Sequence, residues 1–245
     1  MNIQTEDNFV GVNKNTPQAK KSIIFQYEDG STYSIPHGFF RDWLDNDLID
    51  SNVGDFYIGR CSGVGVGSIV KYDTNQQALR IGRYVAGGLR LKFLLNGQHD
   101  MECISTSMLS VCAPGLRNTS IPQYQDTIIK NDVWIGDEAM FLGGSTIDHG
   151  CVVGARAVIP PNFKSEPYGI YVGAPARLVR FRFSEKIRQL LLEIQWWDMP
   201  IDWLRQVNDK FLLNLVKMEE PKAVEILQEL HIQKKNYLAK IQEAK

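Results

Sequence analysis

The sequence has almost no net charge and no long apolar run. Its 27 lysine and arginine residues nearly balance 28 aspartate and glutamate residues, which leaves a formal charge of −1. Binding to nucleic acids or anionic membranes generally needs a basic surface, so this balance argues against both. No segment has the length of a membrane span, and residues 1–21 lack the hydrophobic core of a signal peptide. We therefore expect a cytoplasmic protein without nucleic-acid or membrane partners.

Cysteine and histidine are both scarce, with four residues of each. The cysteines have no C-x-x-C spacing, so we expect reduced structural thiols: Cys61, Cys103, Cys112 and Cys151. The histidines form no closely spaced cluster of the kind that metal sites use. We expect neither a bound metal nor a disulfide framework.

What the sequence does contain is a period of six residues. Large apolar residues recur at every sixth position: Ile129, Ile135, Phe141, Ile147, Val153 and Ile159. Small or slim residues follow the first five of these at a distance of four: Val133, Ala139, Ser145, Cys151 and Ala157. Neither an α-helix nor an alternating strand has this period, so another repeating structure must account for it.

A six-residue unit of this kind predicts one short strand followed by a sharp turn. The large residue points into a narrow core, and the small residue fits near a corner. Three units make one triangular coil, and stacked coils form a parallel β-helix. An antiparallel sandwich is the alternative, but six successive register positions favour the β-helix. The fold class that we predict is therefore mainly β.

The repeat also extends towards the N-terminus. The same register contains Ile81, Gly87, Phe93 and His99, because 129 − 81 = 48 is a multiple of six. An earlier run that includes Ile58 is offset, because 81 − 58 = 23 is one short of 24. An irregular turn around residues 71–79 would absorb that offset. Between residues 99 and 127 the repeat stops and then resumes in step, which predicts a functional loop excursion.

The chain divides into three predicted regions. Residues 1–52 form an N-terminal extension, in which alternating apolar residues over 23–27 and the turn signal Asp29-Gly30 predict a β-hairpin. A short helix over 38–48 would lead into the β-helix of residues 53–183.

Residues 184–245 are predicted to be helical. Ser184 can cap a first helix, Pro200 interrupts the helical pattern, and Pro221 stands where a third helix would open. We expect these helices to cover the open end of the β-helix, where strand edges would otherwise be exposed. The residues Trp196-Trp197-Asp198 are expected to pack against the β-helix.

Two stretches resemble a known family. The run "NDVWIGDEAMFLGGSTIDHGCVVGARAVI" (residues 131–159) is similar to the left-handed β-helix acyltransferases built from hexapeptide repeats. The run "YVGAPARLVRFRFSEKIRQLLLEIQWWDMPIDWL" (residues 171–204) is similar to the C-terminal signature of the xenobiotic acetyltransferase subgroup. That subgroup contains chloramphenicol and streptogramin acetyltransferases and related sugar O-acetyltransferases. The resemblance implies a left-handed coil, acetyl-CoA as the acetyl donor, and a homotrimer with active sites between subunits.

His99 is the candidate catalytic residue. It occupies a register position that should be apolar, and such inconsistencies concentrate at functional sites. An imidazole can take the proton of an attacking hydroxyl and return it to the departing thiolate. The segment "LLNGQHD" is similar to the "N-G-x-N-H" or "N-G-x-H" context of the family's catalytic histidine, which implies that His99 is the general base of a direct transfer. A histidine that caps a turn is the alternative, and His37, His149 and His231 are expected in surface or loop roles.

The resemblance also assigns residues to acetyl-CoA. Trp134 matches the tryptophan that packs on the pantetheine arm. The amide of Asp137, after Gly136, matches a donor near the thioester carbonyl that would stabilise a catalytic oxyanion. The amide of Ala155, after Gly154, matches a second pantetheine contact. Three arginines are candidates for the CoA phosphates, with a solvated basic face as the alternative: Arg177, Arg180 and Arg182.

The sequence does not determine the acceptor. The loop of residues 100–125 should shape its pocket, and "ISTSMLSVCAPGL" (residues 104–116) departs from the "TYPF"-like stretch of the drug-resistance enzymes. A hydroxyl of a sugar or polysaccharide precursor and a hydroxyl of an antibiotic both fit. Amino-sugar N-acetylation is one alternative. A non-catalytic scaffold that binds a partner through residues 202–245 is another.

Overall fold

A computed structural model describes residues 22–26, 32–36, 55–71, 77–111, 114–118 and 123–243. Strands β1 (Ser22–Gln26) and β2 (Thr32–Pro36) form an antiparallel hairpin. The helix predicted over residues 38–48 and residues 72–76 of the predicted irregular turn lie outside the described residues.

Three further sheets account for the repeat region. The first sheet contains β3 (Asp55–Ile58), β5 (Ala78–Ile81), β8 (Thr127–Ile129) and β11 (Thr146–Ile147). The second contains β6 (Ala86–Gly87), β9 (Trp134–Ile135), β12 (Val152–Val153), β14 (Gly169–Val172) and β15 (Arg177–Phe181). The third contains β4 (Ile69–Lys71), β7 (Lys92–Leu94), β10 (Met140–Leu142) and β13 (Val158–Ile159).

The chain visits the three sheets in turn, and residues separated by three hexads become neighbours. Ile129 pairs with Ile147 in the first sheet, and Ile135 pairs with Val153 in the second. Within these three sheets, all described strand pairs are parallel except β14 with β15. The prediction of a mainly β fold with some helices is confirmed. Successive coils begin at Ile58, Ile81, Ile129 and Ile147.

The core is the column of residues that the period of six picked out. The six large register residues are each at most 1% exposed: Ile129, Ile135, Phe141, Ile147, Val153 and Ile159. Phe93 stacks on Phe141 from the coil below, with ring centroids 4.9 Å apart. Burying each such side chain contributes about 1.5–3 kcal/mol, so the repeat itself supplies most of the apolar burial in this region.

Two insertions enter the β-helix without disturbing its register. Ile58 pairs with Ile81, although the separation 81 − 58 = 23 exceeds one coil of three hexads by five. Ile81 pairs with Ile129, although the separation 129 − 81 = 48 is that of eight hexads instead of three. The larger insertion leaves the second coil after β7 and contains His99.

Three α-helices follow the β-helix: α1 (Glu185–Ile194), α2 (Ile201–Phe211) and α3 (Glu220–Glu243). The Ser184 hydroxyl accepts a hydrogen bond from the amide of Ile187 at 3.5 Å and caps α1. The helices bury a second apolar cluster that includes Trp203 and Leu227. Among the described residues, no helix is both long enough and apolar enough to cross a membrane.

The helical region lies along one corner of the β-helix. Arg60 of the first coil donates from Nη2 to the carbonyl oxygens of Trp197 at 3.0 Å and Met199 at 2.6 Å. Arg83 of the second coil pairs with Asp198. The prediction that the helices cover the open end is therefore wrong, because these contacts extend along the side. The edge of β14 is paired instead with β15.

Candidate active site

His99 stands at the start of the long loop, after β7 ends at Leu94. Its side chain is exposed, and Nδ1 makes a short hydrogen-bond contact with the carbonyl oxygen of Thr106. A carbonyl oxygen can only accept, so Nδ1 carries a proton, and in the neutral ring the lone pair is therefore on Nε2. The ring is thus oriented with Nε2 available to receive a proton.

The loop after His99 is held by local bonds and not by a core. None of the described side chains from residue 99 to 118 is buried. Ser105 Oγ accepts the amide of Ser107 at 3.1 Å, and Asn118 Oδ1 accepts the amide of Ser110 at 2.8 Å. Several large apolar side chains are exposed on it: Met101, Ile104, Met108, Leu109 and Leu116. Such a surface is typical of a segment that contacts a ligand or another chain.

The loop and the predicted donor residues belong to different parts of the triangular coil. The loop leaves at the corner between the third and first sheets, whereas Trp134 lies on β9 in the second sheet. In a three-sided coil that corner is opposite the second sheet. One chain therefore does not bring the root of the His99 loop next to its own Trp134.

A column of glycines lines the corner that follows the second sheet. A Cβ on Gly136 would lie 2.4 Å from the amide nitrogen of Ala155, and one on Gly88 would lie 2.7 Å from the amide nitrogen of Asp137. Both distances are too short for any side chain, so glycine is required where these coils approach each other. The close approach leaves a smooth strip of backbone beside the corner.

Two predicted donor groups lie on this strip. In the described part of the chain, the amides of Asp137 and Ala155 have no hydrogen-bond acceptor. The Asp137 carboxylate turns away to accept the amide of Leu89 at 2.8 Å. Trp134 on the adjacent strand is 60% exposed. The structure thus brings Trp134, the Gly136 corner and both amides onto one accessible edge.

A charged ladder follows the two amides and was missed from the sequence. Glu138 accepts from Arg90 Nη2 at 2.6 Å through Oε1 and from Arg156 Nε at 2.7 Å through Oε2. These hydrogen bonds lower the pKa of Glu138, and the bond from Arg156 has a larger effect than that from Arg90. Opposite charges at the same hexad position, one coil apart, were the available signal for the Glu138–Arg156 pair.

The three predicted phosphate-binding arginines fall into two groups. Arg177 and Arg180 are exposed on β15, where each donates to a neighbouring backbone carbonyl. Arg182 instead bonds the carbonyl of Gly150 at 2.7 Å and Asp132 at 3.2 Å. Both partners precede strands of the second sheet, whereas Gly136 and Gly154 follow those strands at the opposite corner of the coil. The structure therefore does not bring Arg182 together with the other donor residues.

His149 has a structural role that its outward position did not predict. Its ring stacks on Trp197, with centroids 4.6 Å apart, and Nδ1 accepts the amide of Asn131 at 3.3 Å. Burial lowers the pKa of His149 to about 4. Trp197 is buried against the β-helix, whereas His149 was expected at the surface. Nothing in a single hexad indicates that a distant helical region covers it.

Within the described residues, no group of three or more potential metal-binding side chains occurs. The groups that the described residues present at the candidate site are the exposed imidazole of His99 and the backbone amides of Asp137 and Ala155.

Comparison with known proteins matches residues 126–161 to the bacterial transferase hexapeptide family, a model of six repeats. The chain is 33% identical over 165 residues to a chloramphenicol acetyltransferase of Agrobacterium fabrum, across 61% of this chain and 75% of the relative. It is 32% identical over 133 residues to a probable macrolide acetyltransferase of Lysinibacillus sphaericus, across 52% of this chain and 73% of the relative.

A shorter match of 46% identity over 81 residues, 33% of this chain, covers only 38% of the length of a chloramphenicol acetyltransferase of Escherichia coli. A hexapeptide-repeat acetyltransferase of Vibrio cholerae, solved with acetyl coenzyme A, is 20% identical with a TM-score of 0.40, over 50% of this chain and 58% of that one. Since the first two relatives are matched over about three quarters of their length, the chain belongs to the hexapeptide-repeat acetyltransferases, in the group that contains chloramphenicol and macrolide acetyltransferases.

Proposed function

We propose that this protein is an acetyl-CoA-dependent O-acetyltransferase that works as a homotrimer of left-handed β-helices. The observation that carries the proposal is the contact between His99 and the carbonyl of Thr106, which selects the neutral tautomer with its lone pair on Nε2, in an exposed side chain. Family membership supplies the reaction class. The exposed imidazole of His99 and the unpaired amides of Asp137 and Ala155 support the roles proposed for them below.

The transfer follows from the chemistry of these groups. Nε2 of His99 takes the proton of the acceptor hydroxyl as its oxygen attacks the thioester carbon. The amide of Asp137 donates to the oxygen of that carbonyl as negative charge develops there. The carbon–sulfur bond then breaks, and the imidazolium returns its proton to the departing thiolate. The acetyl group ends as an ester, and free CoA leaves.

The donor lies along the glycine-lined corner in this proposal. Trp134 packs on the pantetheine arm, and the free amides of Asp137 and Ala155 bond its polar groups. Arg177 and Arg180 are the arginines proposed for the CoA phosphates, since Arg182 is already paired with Asp132.

The trimer explains how the two halves of the site meet. Because the His99 corner is opposite the sheet that carries Trp134, a site that uses both needs the corner of one subunit beside the second sheet of the next. The exposed apolar side chains of the loop, such as Met101 and Ile104, then become buried between subunits and beside the acceptor. We expect three equivalent sites in each assembly.

The acceptor is proposed to be a small molecule with a free hydroxyl, either an antibiotic or a sugar. Release of CoA, followed with a thiol reagent, tests this with chloramphenicol, a macrolide, a streptogramin and a panel of sugars. We expect the wild-type protein to release CoA in the presence of one acceptor class. With the same acceptor, His99→Ala should release CoA about 10²–10⁴-fold more slowly. Sedimentation should show the same trimer for both. Equal turnover by the variant would refute the role of His99.

A further inference from the structure

The first turn after His99 is built by the carboxylate of Asp100. Its Oδ1 accepts the amide of Glu102 at 2.9 Å. Its Oδ2 accepts from the thiol of Cys103 at 3.4 Å. A side chain that accepts from the amide two residues on mimics a backbone turn and bends the chain sharply.

The bend at Asp100 sets the path of the residues that follow it. A few residues later Thr106 comes back to His99 and offers its carbonyl oxygen to Nδ1. No described side chain between these residues is buried, so no apolar contact holds this path. In an exposed loop of this kind, the local hydrogen bonds determine which conformation is populated.

We propose that Asp100 is a positioning residue for His99. By closing the turn, Asp100 places the Thr106 carbonyl on Nδ1, which selects the neutral tautomer that has its proton on Nδ1 and its lone pair on Nε2. The consequence for catalysis rests on the proposed function. The effect on the imidazole does not, because it concerns the protein without any substrate.

Loss of the Asp100 carboxylate removes the turn and releases the Thr106 carbonyl. Nδ1 then loses its acceptor, the ring rotates, and the proton exchanges between the two nitrogens. A bond of this size corresponds to about a five- to tenfold change in the population of the correct orientation. We expect kcat to fall by that factor with little change in KM for acetyl-CoA, because Asp100 is not part of the proposed donor site.

The first test measures the imidazole directly. The full chain is labelled with ¹⁵N-histidine, and the His99 signals are assigned by their loss in His99→Ala. Wild type should show a protonated Nδ1 and an unprotonated Nε2 at a pH where the ring is neutral. Asp100→Ala should move both nitrogens towards averaged shifts, and unchanged signals of the other three histidines would show that the fold is intact.

Two matched variants distinguish the effect of the hydrogen-bonded turn from the effect of its negative charge. Asp100→Asn keeps an oxygen that can accept the amide of Glu102, so it should restore the wild-type shifts and rate. Glu102→Ala removes an equal charge from the same turn but keeps the amide that donates, so it should keep the wild-type shifts of the His99 nitrogens.

The outcomes separate this proposal from the proposed function. If Asp100→Ala keeps the wild-type shifts, or loses no more kcat than Glu102→Ala, the positioning role is wrong. If the shifts change as expected but wild type transfers acetyl to no acceptor, the positioning role stands and the enzymatic assignment fails.

Discussion

The imidazole of His149 lies almost flat against the indole of Trp197, with the two ring planes 9° from parallel. This contact joins the fourth coil of the β-helix to the turn between α1 and α2. Burial lowers the pKa of His149 to about 4, from an ordinary value of about 6.5. The contact is therefore made by a neutral ring at physiological pH.

This contact predicts a loss of stability in acid. Between pH 6.5 and about 4, His149 is protonated in the unfolded chain but neutral in the folded protein. The free energy of unfolding therefore falls as the pH falls through this interval. Above that interval the ring is neutral in both states and contributes no pH dependence. The whole shift is worth about 3 kcal/mol. Urea unfolding from pH 7 to 4 should show a smaller decline for His149→Phe, which keeps an aromatic ring. Parallel curves for the two proteins would contradict this.

Trp134 and Trp203 should separate binding from stability. Trp134 is 60% exposed, so Trp134→Ala should leave the unfolding temperature nearly unchanged and weaken acetyl-CoA binding about tenfold, which calorimetry can measure. Trp203 is 1% exposed, and Trp203→Ala should cost about 3–5 kcal/mol of stability. Undiminished binding by Trp134→Ala would remove that residue from the proposed donor site.

Gly136 should tolerate no side chain. The Cβ of Gly136→Ala would meet backbone on the next coil at 2.4 Å, and moving that backbone should cost at least about 2 kcal/mol and weaken acetyl-CoA binding. Gly115→Ala is the control, because it has open space and carries only the cost of a left-handed backbone, about 1 kcal/mol. Similar melting temperatures for the two variants would show that the backbone at Ala155 does not approach Gly136 closely enough to exclude a side chain.

Arg60 should anchor the helical region. Arg60→Met keeps an apolar stem but leaves the carbonyls of Trp197 and Met199 without their donor, at a cost of about 2 kcal/mol in urea unfolding. Arg205→Met removes an exposed pair with Asp202 and should cost less than about 0.5 kcal/mol. If the two variants unfold at the same urea concentration, the Arg60 contacts contribute no more than a surface pair.

The fold was predictable where its geometry is local. Each hexad specifies its own strand and turn, so residues such as Ile135 and Ala139 reveal which side chains enter the core before any coil is stacked. The same holds for Ser184, whose hydroxyl caps the helix that begins beside it. The residues that give each of these signals are near neighbours in the chain.

The rest depends on contacts between distant parts of the chain. Arg60 meets Trp197 across 137 residues, and no period links them. The partner of His99, the carbonyl of Thr106, is a backbone atom in a loop without repeats, so its residue type contains no signal. Glu138 and Arg90 are 48 residues apart only because a loop separates their coils. The candidate base could be named from sequence, but the group that orients it could not.

The long insertion between the second and third coils has a consequence for evolution. Ile81 pairs with Ile129 in the same way that Ile129 pairs with Ile147. The insertion therefore leaves the pairing between coils unchanged. Lengthening such a loop costs little, since its closure entropy grows only with the logarithm of its length. The length and sequence of this loop are therefore free to vary while the stacked coils below it keep the same pairing.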